Sequence, residues 1–452
     1  MDGNSYVVQS LRAFGIKKYV GVNGGGLIHF LSNLDAMDGA KQDICFKTIS
    51  EYSAGFVPLG SYLASGEIAA TVVTTGAATK LAGSGISDAK LHNIPSVFII
   101  ALNSTTSAEK SPLQDVTSHG ASVIDQIQAE LGDGCFVLDA IEELIPKLEA
   151  AKAVLADSRP VALLFHPDVL CKTVPEKLNS YSIKKPSYKS CDDFAQSFLK
   201  TAKNRRVVIF VGEEAARDLS MPHLSEQVAV HLRAPVVWSV NGANGVSENN
   251  PYGHGYISFG GNCQALKTWE SLGEDDVLLL LGFEPTEYVT NLKKVNAGFV
   301  WHLSNIKQAY GSRNGSHAHC FSGQYHKVYG CISDNLLSLI KCMDDFIVKR
   351  PEVSEGLKNL NCKLHVKENM ETMPGTVNVV DFYHKLKKYW QPNSIGFDDV
   401  CVSYRDRQFI TQRPINNIPF YSLYGGSAMG GAFGLGIGAK ISNPSLNRMA
   451  LT

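Results

Sequence analysis

The sequence has no excess of charge of either sign. Its 42 Lys and Arg residues face 43 Asp and Glu in a chain of 452 residues, a net charge of −1. Without a global positive field or a long like-charge run, a nucleic-acid partner is not expected. Ten cysteines are scattered singly from Cys45 to Cys401 with no Cys-x-x-Cys pair, and His317 and His319 beside Cys320 lack a second cluster at zinc spacing. Such usage implies reduced, mostly buried thiols in a cytoplasmic protein. The first ten residues lack the charged-then-apolar layout of a signal peptide. No apolar run approaches the ~20 residues needed to span a bilayer, so no membrane partner is expected. Also missing is the dinucleotide-binding fingerprint. Asn23-Gly-Gly-Gly26 follows a strand-like run, and Gly434, Gly436 and Gly438 are two residues apart, but neither stretch has the required spacing with an acidic residue ~20 positions on. That omission weighs against an NAD-dependent oxidoreductase.

What is present is a 44% hydrophobic chain long enough for about three domains of ~150 residues. Short β-rich runs alternate with helical stretches, the pattern of parallel sheets covered by helices on both faces. The predicted fold is therefore α/β, with three doubly wound parallel-sheet domains. The first spans 1–170 and holds the strand-like runs 18–22, 69–75, 96–102 and 161–165. A Lys-, Ser- and Pro-bearing linker follows at 171–190. The second domain spans 191–345, with strands expected at 206–211, 235–240, 277–281 and 299–303. A polar linker at 346–373 leads to a third block, 374–452. That block opens with a helix over 377–389 and a strand over 394–400, and closes in a Gly-dense helix. At about 80 residues, it is short for a domain of this type.

Taken in order, these segments resemble the thiamine-diphosphate-dependent enzymes that include acetolactate synthase, pyruvate oxidase and benzoylformate decarboxylase. Tyr19-Val-Gly-Val-Asn-Gly-Gly-Gly26 is similar to the family's Phe-Gly-x-Pro-Gly-Gly turn, with Asn23 in place of proline. Ser50-Glu-Tyr-Ser-Ala-Gly55 resembles His-Glu-x-x-Ala, Thr74-Thr-Gly-Ala-Ala78 resembles Thr-Ser-Gly-Pro-Gly, and Asn93-Ile-Pro95 resembles Ser-Ile-Pro. Phe165-His-Pro-Asp-Val169 is similar to the close of the pyrimidine-binding domain. Ala234-Pro-Val-Val and Asn250-Pro-Tyr-Gly-His-Gly255 match segments of the central domain. Gly425-Gly-Ser-Ala-Met-Gly-Gly through Ile437-Gly-Ala439 is close to the signature of the diphosphate-binding domain.

The resemblance implies thiamine diphosphate as cofactor and assigns roles by position. Glu51 is the glutamate that bonds N1′ of the aminopyrimidine, although a glutamate there is otherwise an ordinary helix N-terminal charge. Met429 is the apolar prop that bends the cofactor, although methionine is more often core filler. Gly24, Gly25 and Gly76 lie in the turns that meet the cofactor. Backbone groups of Ser427 and Met429 would bond the pyrimidine edge, and the turn from Val400 to Ser403 would approach the diphosphate. Cys401 stands there where glycine is usual.

Gln114, in Ser111-Pro-Leu-Gln-Asp-Val116, matches the glutamine of acetolactate-synthase-like members, where simple decarboxylases carry a His-His pair. The implied reaction is decarboxylation of a 2-oxo acid with carboligation to a second carbonyl. A simple decarboxylase releasing an aldehyde, and a non-catalytic paralogue acting as a binding or regulatory subunit, are the alternatives. His29 and His119 are further pocket candidates. FAD, bound by the central domain of acetolactate synthases and pyruvate oxidases, is not expected here, because Phe210-Val-Gly-Glu-Glu214 puts two carboxylates in place of a small, Gly-rich turn. Mg²⁺ is implied with the cofactor. Its Gly-Asp-Gly motif is expected beyond Thr452, since Gly132-Asp-Gly134 lies in the first block and reads as a turn. Family sites form between subunits, which implies a homodimer or homotetramer.

Overall fold

The computed structural model describes residues 1–36, 44–107, 110–174, 191–257, 261–343, 372–400, 403–411, 419–426 and 428–452. Most of the two linkers marked by the sequence lies outside these residues. Contacts divide the chain into two compact units. The first comprises Met1–Lys185 with Leu423–Leu446 and Leu451, and the second comprises Pro186–Ser422 with Asn447–Ala450 and Thr452. The Gly-dense helix is thus last in chain order but packs with the first sheet.

The first unit is built on seven strands: β1 (Lys18–Gly21), β2 (Asp35–Ala36), β3 (Cys45–Thr48), β4 (Ala70–Thr74), β5 (Val97–Ala101), β6 (Cys135–Leu138) and β7 (Val161–Phe165). Their order is β2-β3-β1-β4-β5-β7-β6, and every pair is parallel. β5 and β7 are buried along their whole length, which is why they are unbroken apolar runs rather than alternating ones. The chain lays β2 and β3 on one side of β1 and β4 on the other, so the order reverses at β1 and β4. Ligands of open α/β sheets bind beyond the carboxyl ends of strands at such a reversal.

Helix Glu51–Ser65 leaves β3 at that edge. Glu51 supplies the acidic first turn that suits a helix N-terminus, and Gly66 ends the helix at φ +73°, its N–H bonding Tyr62 O. Pro58 within the helix has no N–H for the Ala54 carbonyl. The hydroxyl of Thr71 on β4 donates to that carbonyl instead, at 2.6 Å. Small residues let two neighbouring helices come very close. A Cβ on Gly85 of helix Ala77–Leu91 would lie 1.9 Å from the Gly55 carbonyl oxygen. On the other side, a Cβ on Gly60 would lie 2.0 Å from the Leu435 oxygen, and one on Gly438 2.1 Å from the Val57 oxygen. Helix Gly431–Ser442 therefore meets Glu51–Ser65 backbone to backbone.

The second unit holds two sheets. In the larger, β8 (Val207–Val211), β9 (Val236–Trp238), β10 (Gly253–Tyr256), β11 (Val277–Leu281), β12 (Phe299–Ser304) and β13 (Gln324–Tyr329) run in the order β10-β9-β8-β11-β12-β13, all parallel. Its order reverses between β8 and β11. The smaller sheet is β15-β14-β16, formed from β14 (Ser394–Asp398), β15 (Phe420–Ser422) and β16 (Arg448–Leu451). Asn241 joins the two sheets by donating to Ser422 O at 3.0 Å and accepting its N–H at 2.8 Å. Parallel α/β sheets are what the alternation of strand-like and helical runs predicted. Among the described residues, no helix is long and apolar enough to cross a membrane.

Candidate active site

Four strand exits meet at the carboxyl edge of the first sheet. Ile49 N–H bonds Gly21 O at 2.9 Å, tying the exit of β3 to that of β1, and Glu51 begins its helix two residues later. The turn after β1 lies against β4, since a Cβ on Gly24 would stand 2.1 Å from Thr74 Cγ2. Gly25 faces open space, with nothing within 4 Å of such a Cβ. After β4, Gly76 adopts φ +78°, a left-handed conformation that disfavours any side chain, and caps helix Ala77–Leu91. A Cβ there would lie 2.9 Å from Gln114 Cγ. The expected glycines at 24 and 76 therefore flank Thr74–Gly76, with Gln114 against the second.

Two residues in this cluster were not singled out in the sequence. The Thr75 hydroxyl is buried and has no hydrogen-bond partner, which makes it an orphaned polar atom at the sheet's ligand edge. Asn103, just beyond β5, accepts Val116 N–H and donates to Leu113 O, each at 3.1 Å. It thereby clamps the loop in which Gln114 sits at φ +57°. Thr75 lies within the Thr74–Ala78 motif without having been singled out there, and Asn103 belongs to no motif; each is placed by the edge it stands on.

The turn carrying Met429 is held by the same two helices. The Tyr52 hydroxyl donates to Met429 O. Gly426 N–H donates to the buried Asp88 carboxylate at 2.5 Å, and Gly425 N–H to His92 Nε2 at 3.2 Å. Met429 is 72% exposed, so its side chain is not core filling. Ser427 lies outside the described residues. His29, in the short helix Ile28–Leu31, and His119, in the loop after Gln114, are both exposed.

Val400 and Ser403 belong to the second unit. Val400 N–H donates to Asp399 Oδ1 at 2.9 Å, and Ser403 opens helix Ser403–Thr411; Cys401 and Val402 between them lie outside the described residues. Asp398 at the end of β14 is fully taken up. Arg407 donates to it at 2.8 Å, as do the hydroxyls of Ser422 and Thr452. In the first unit, Gly132–Gly134 forms a single 3₁₀ turn. A two-pronged bond from Arg159, at 2.7 and 3.0 Å, holds Asp133 below the usual carboxylate range. Among the described residues, no group of three or more His, Cys, Asp or Glu side chains could hold a metal ion.

A glutamate at a helix start, a turn left open at Gly25 and an orphaned hydroxyl would suit a flat, polar heterocycle. Residues 1–127 match the family described as "Thiamine pyrophosphate enzyme, N-terminal TPP binding domain". Over 315 residues the chain is 24% identical to the acetolactate synthase isozyme 2 large subunit of Escherichia coli (strain K12), an overlap covering 68% of this chain and 53% of that protein. The chain thus spans about half the length of that relative.

Proposed function

We propose, from the match of its first 127 residues to the N-terminal domain of thiamine pyrophosphate enzymes, that the chain is a thiamine-diphosphate-dependent enzyme that decarboxylates a 2-oxo acid and joins the remaining fragment to a second carbonyl compound. The observation that carries this is the convergence of Glu51, Gly24, Thr74–Gly76 and Gln114 on the carboxyl edge of β3, β1, β4 and β5.

Thiamine diphosphate, when bound, supplies a nucleophilic carbon that attacks the oxo acid and takes up the electrons released with carbon dioxide. The chain's own residues bind and orient it. Glu51 would hold a proton against N1′ of the aminopyrimidine, and the turns at Gly24, Gly25 and Gly76 would meet the cofactor, with Gly25 open on its Cβ side. The Thr75 hydroxyl is free to bond a polar edge of the cofactor. Met429, exposed on a turn fixed by Tyr52, Asp88 and His92, props the cofactor. Backbone groups of Ser427, and of Val400 to Ser403, complete the proposed contacts. Gln114, steered by Asn103, faces the acceptor and favours carboligation, with His29 and His119 as outer substrate contacts. Mg²⁺ and a homo-oligomeric assembly accompany the cofactor in this proposal.

Calorimetric titration of thiamine diphosphate with Mg²⁺ into the protein is the direct test. Saturable binding, followed by carbon dioxide release from pyruvate or a larger 2-oxo acid, is expected. Failure to bind the cofactor would favour the non-catalytic paralogue.

A further inference from the structure

In acetolactate synthases and pyruvate oxidases the central domain binds FAD, and the six-stranded sheet here has the edge at which a dinucleotide would lie. Its strand order reverses between β8 and β11, and the loops after these strands, with those after β9 and β12, define the crevice. In dinucleotide sites, the glycines of such loops leave room for phosphates, and backbone N–H groups bind them. Here both the room and the donors are taken. A Cβ on Gly212, following β8, would stand 2.4 Å from Glu284 Oε2. A Cβ on Gly282, following β11 at φ +66°, would stand 2.8 Å from Glu214 Cβ. Each glycine thus makes space for a glutamate from the opposite loop.

The hydrogen bonds agree with the packing. The Glu284 carboxyl accepts Glu213 N–H, at 3.2 Å to each oxygen, and the Ser239 hydroxyl. The Glu214 carboxyl accepts the Ser304 hydroxyl at 2.8 Å and Asn305 N–H. Donors from the ends of β8, β9 and β12 therefore terminate on carboxyl groups carried by the loops after β8 and β11. Glu213 lies between them, bound by Arg217 at 2.8 Å and Asn241 at 2.9 Å. Burial, reinforced by the Glu213 charge, pushes Glu284 up to about 8, so it carries a proton at neutral pH.

We propose that the ligand crevice of the central sheet is filled by the chain's own Glu214 and Glu284 side chains, which stand in for phosphates, so that this domain takes neither FAD nor any other dinucleotide. The assignment does not rest on the reaction proposed above.

Its test is flavin fluorescence of the purified protein, together with calorimetric titration of FAD and ADP into the parent and two double variants. The parent should carry no flavin and bind neither nucleotide at up to about 1 mM. Glu214→Ala with Glu284→Ala vacates the space and frees the donors, and should bind ADP at least tenfold more tightly than the parent. Glu214→Gln with Glu284→Gln keeps volume and bonding, preserves the fold, and should stay as blind to nucleotide as the parent. Flavin in the parent, or ADP binding by the glutamine pair, would overturn the assignment. So would a folded alanine pair that binds no ADP. If the alanine pair fails to fold, the parent and the glutamine pair still decide the question.

Discussion

At the scale of single residues, the site depends on groups that meet across long stretches of chain. Glu51→Gln keeps the side chain's size and removes its ionisable proton, so the fold should persist while C2-proton exchange of bound thiamine diphosphate slows at least ~100-fold. Exchange followed by NMR checks this, and an unchanged rate would remove Glu51 from the mechanism. Gln114→Ala should shift product from hydroxyketone toward free aldehyde, measured as the product ratio with pyruvate. An unaltered ratio would count against a substrate role for Gln114. The sequence offered Glu51, Gly24 and Gly76 as candidates because each stands in a short motif that resembles the family's. Asp88 and His92 were not, because their partners, Gly426 and Gly425, lie more than 330 positions away. Asn103 was missed for a related reason: an asparagine in a polar loop looks like any turn residue until the loop it clamps is seen.

At the scale of elements, legibility followed unbroken apolar runs. β5, β7, β8 and β11 are buried on both faces, and their apolar runs announced them. β10, Gly-His-Gly-Tyr, has no such run, and β13, Gln-Tyr-His-Lys-Val-Tyr, is half polar because it is an edge strand with an open face. β6 follows directly on Gly132–Gly134, where the turn dominated the pattern. The close crossing of helices Glu51–Ser65 and Gly431–Ser442 gives a sharper test. Gly60→Ala puts a Cβ 2.0 Å from the Leu435 carbonyl oxygen, and neither backbone can yield without moving its helix. The variant should lose about 1–3 kcal/mol despite alanine's better helix propensity, measured as a fall in urea midpoint. A gain in stability would show that the helices are not in contact there.

At the scale of the whole chain, buried titratable groups in the central domain set the pH response. Burial pushes His317 down to about 4 and His302 well below its ordinary value. As pH falls from ~6.5 the unfolded chain takes up protons that the fold refuses, so this contribution to stability is present above 6.5 and lost toward 4. Glu284, raised to about 8, has the opposite sign. The fold keeps a proton that the unfolded chain releases above ~4.3, so stability falls as pH rises toward 8. Between 6.5 and 8 the histidines no longer respond, and Glu284 should lower stability by up to about 1.4 kcal/mol per pH unit. Urea midpoints across that range should decline in the parent and flatten in Glu284→Gln; parallel declines would locate the titration elsewhere. The alternation of strands and helices disclosed three sheets, but not that helix Gly431–Ser442 packs beside helix Glu51–Ser65, because spatial neighbours in an α/β chain need not follow its order. That packing bears on vectorial synthesis. Helix Glu51–Ser65 leaves the ribosome early, and the helix that covers its Phe56–Gly60 face follows some 370 residues later, roughly half a minute at cellular elongation rates. The nascent first domain must therefore wait with an apolar helix face uncovered, making it a natural client for chaperones until helix Gly431–Ser442 has been made.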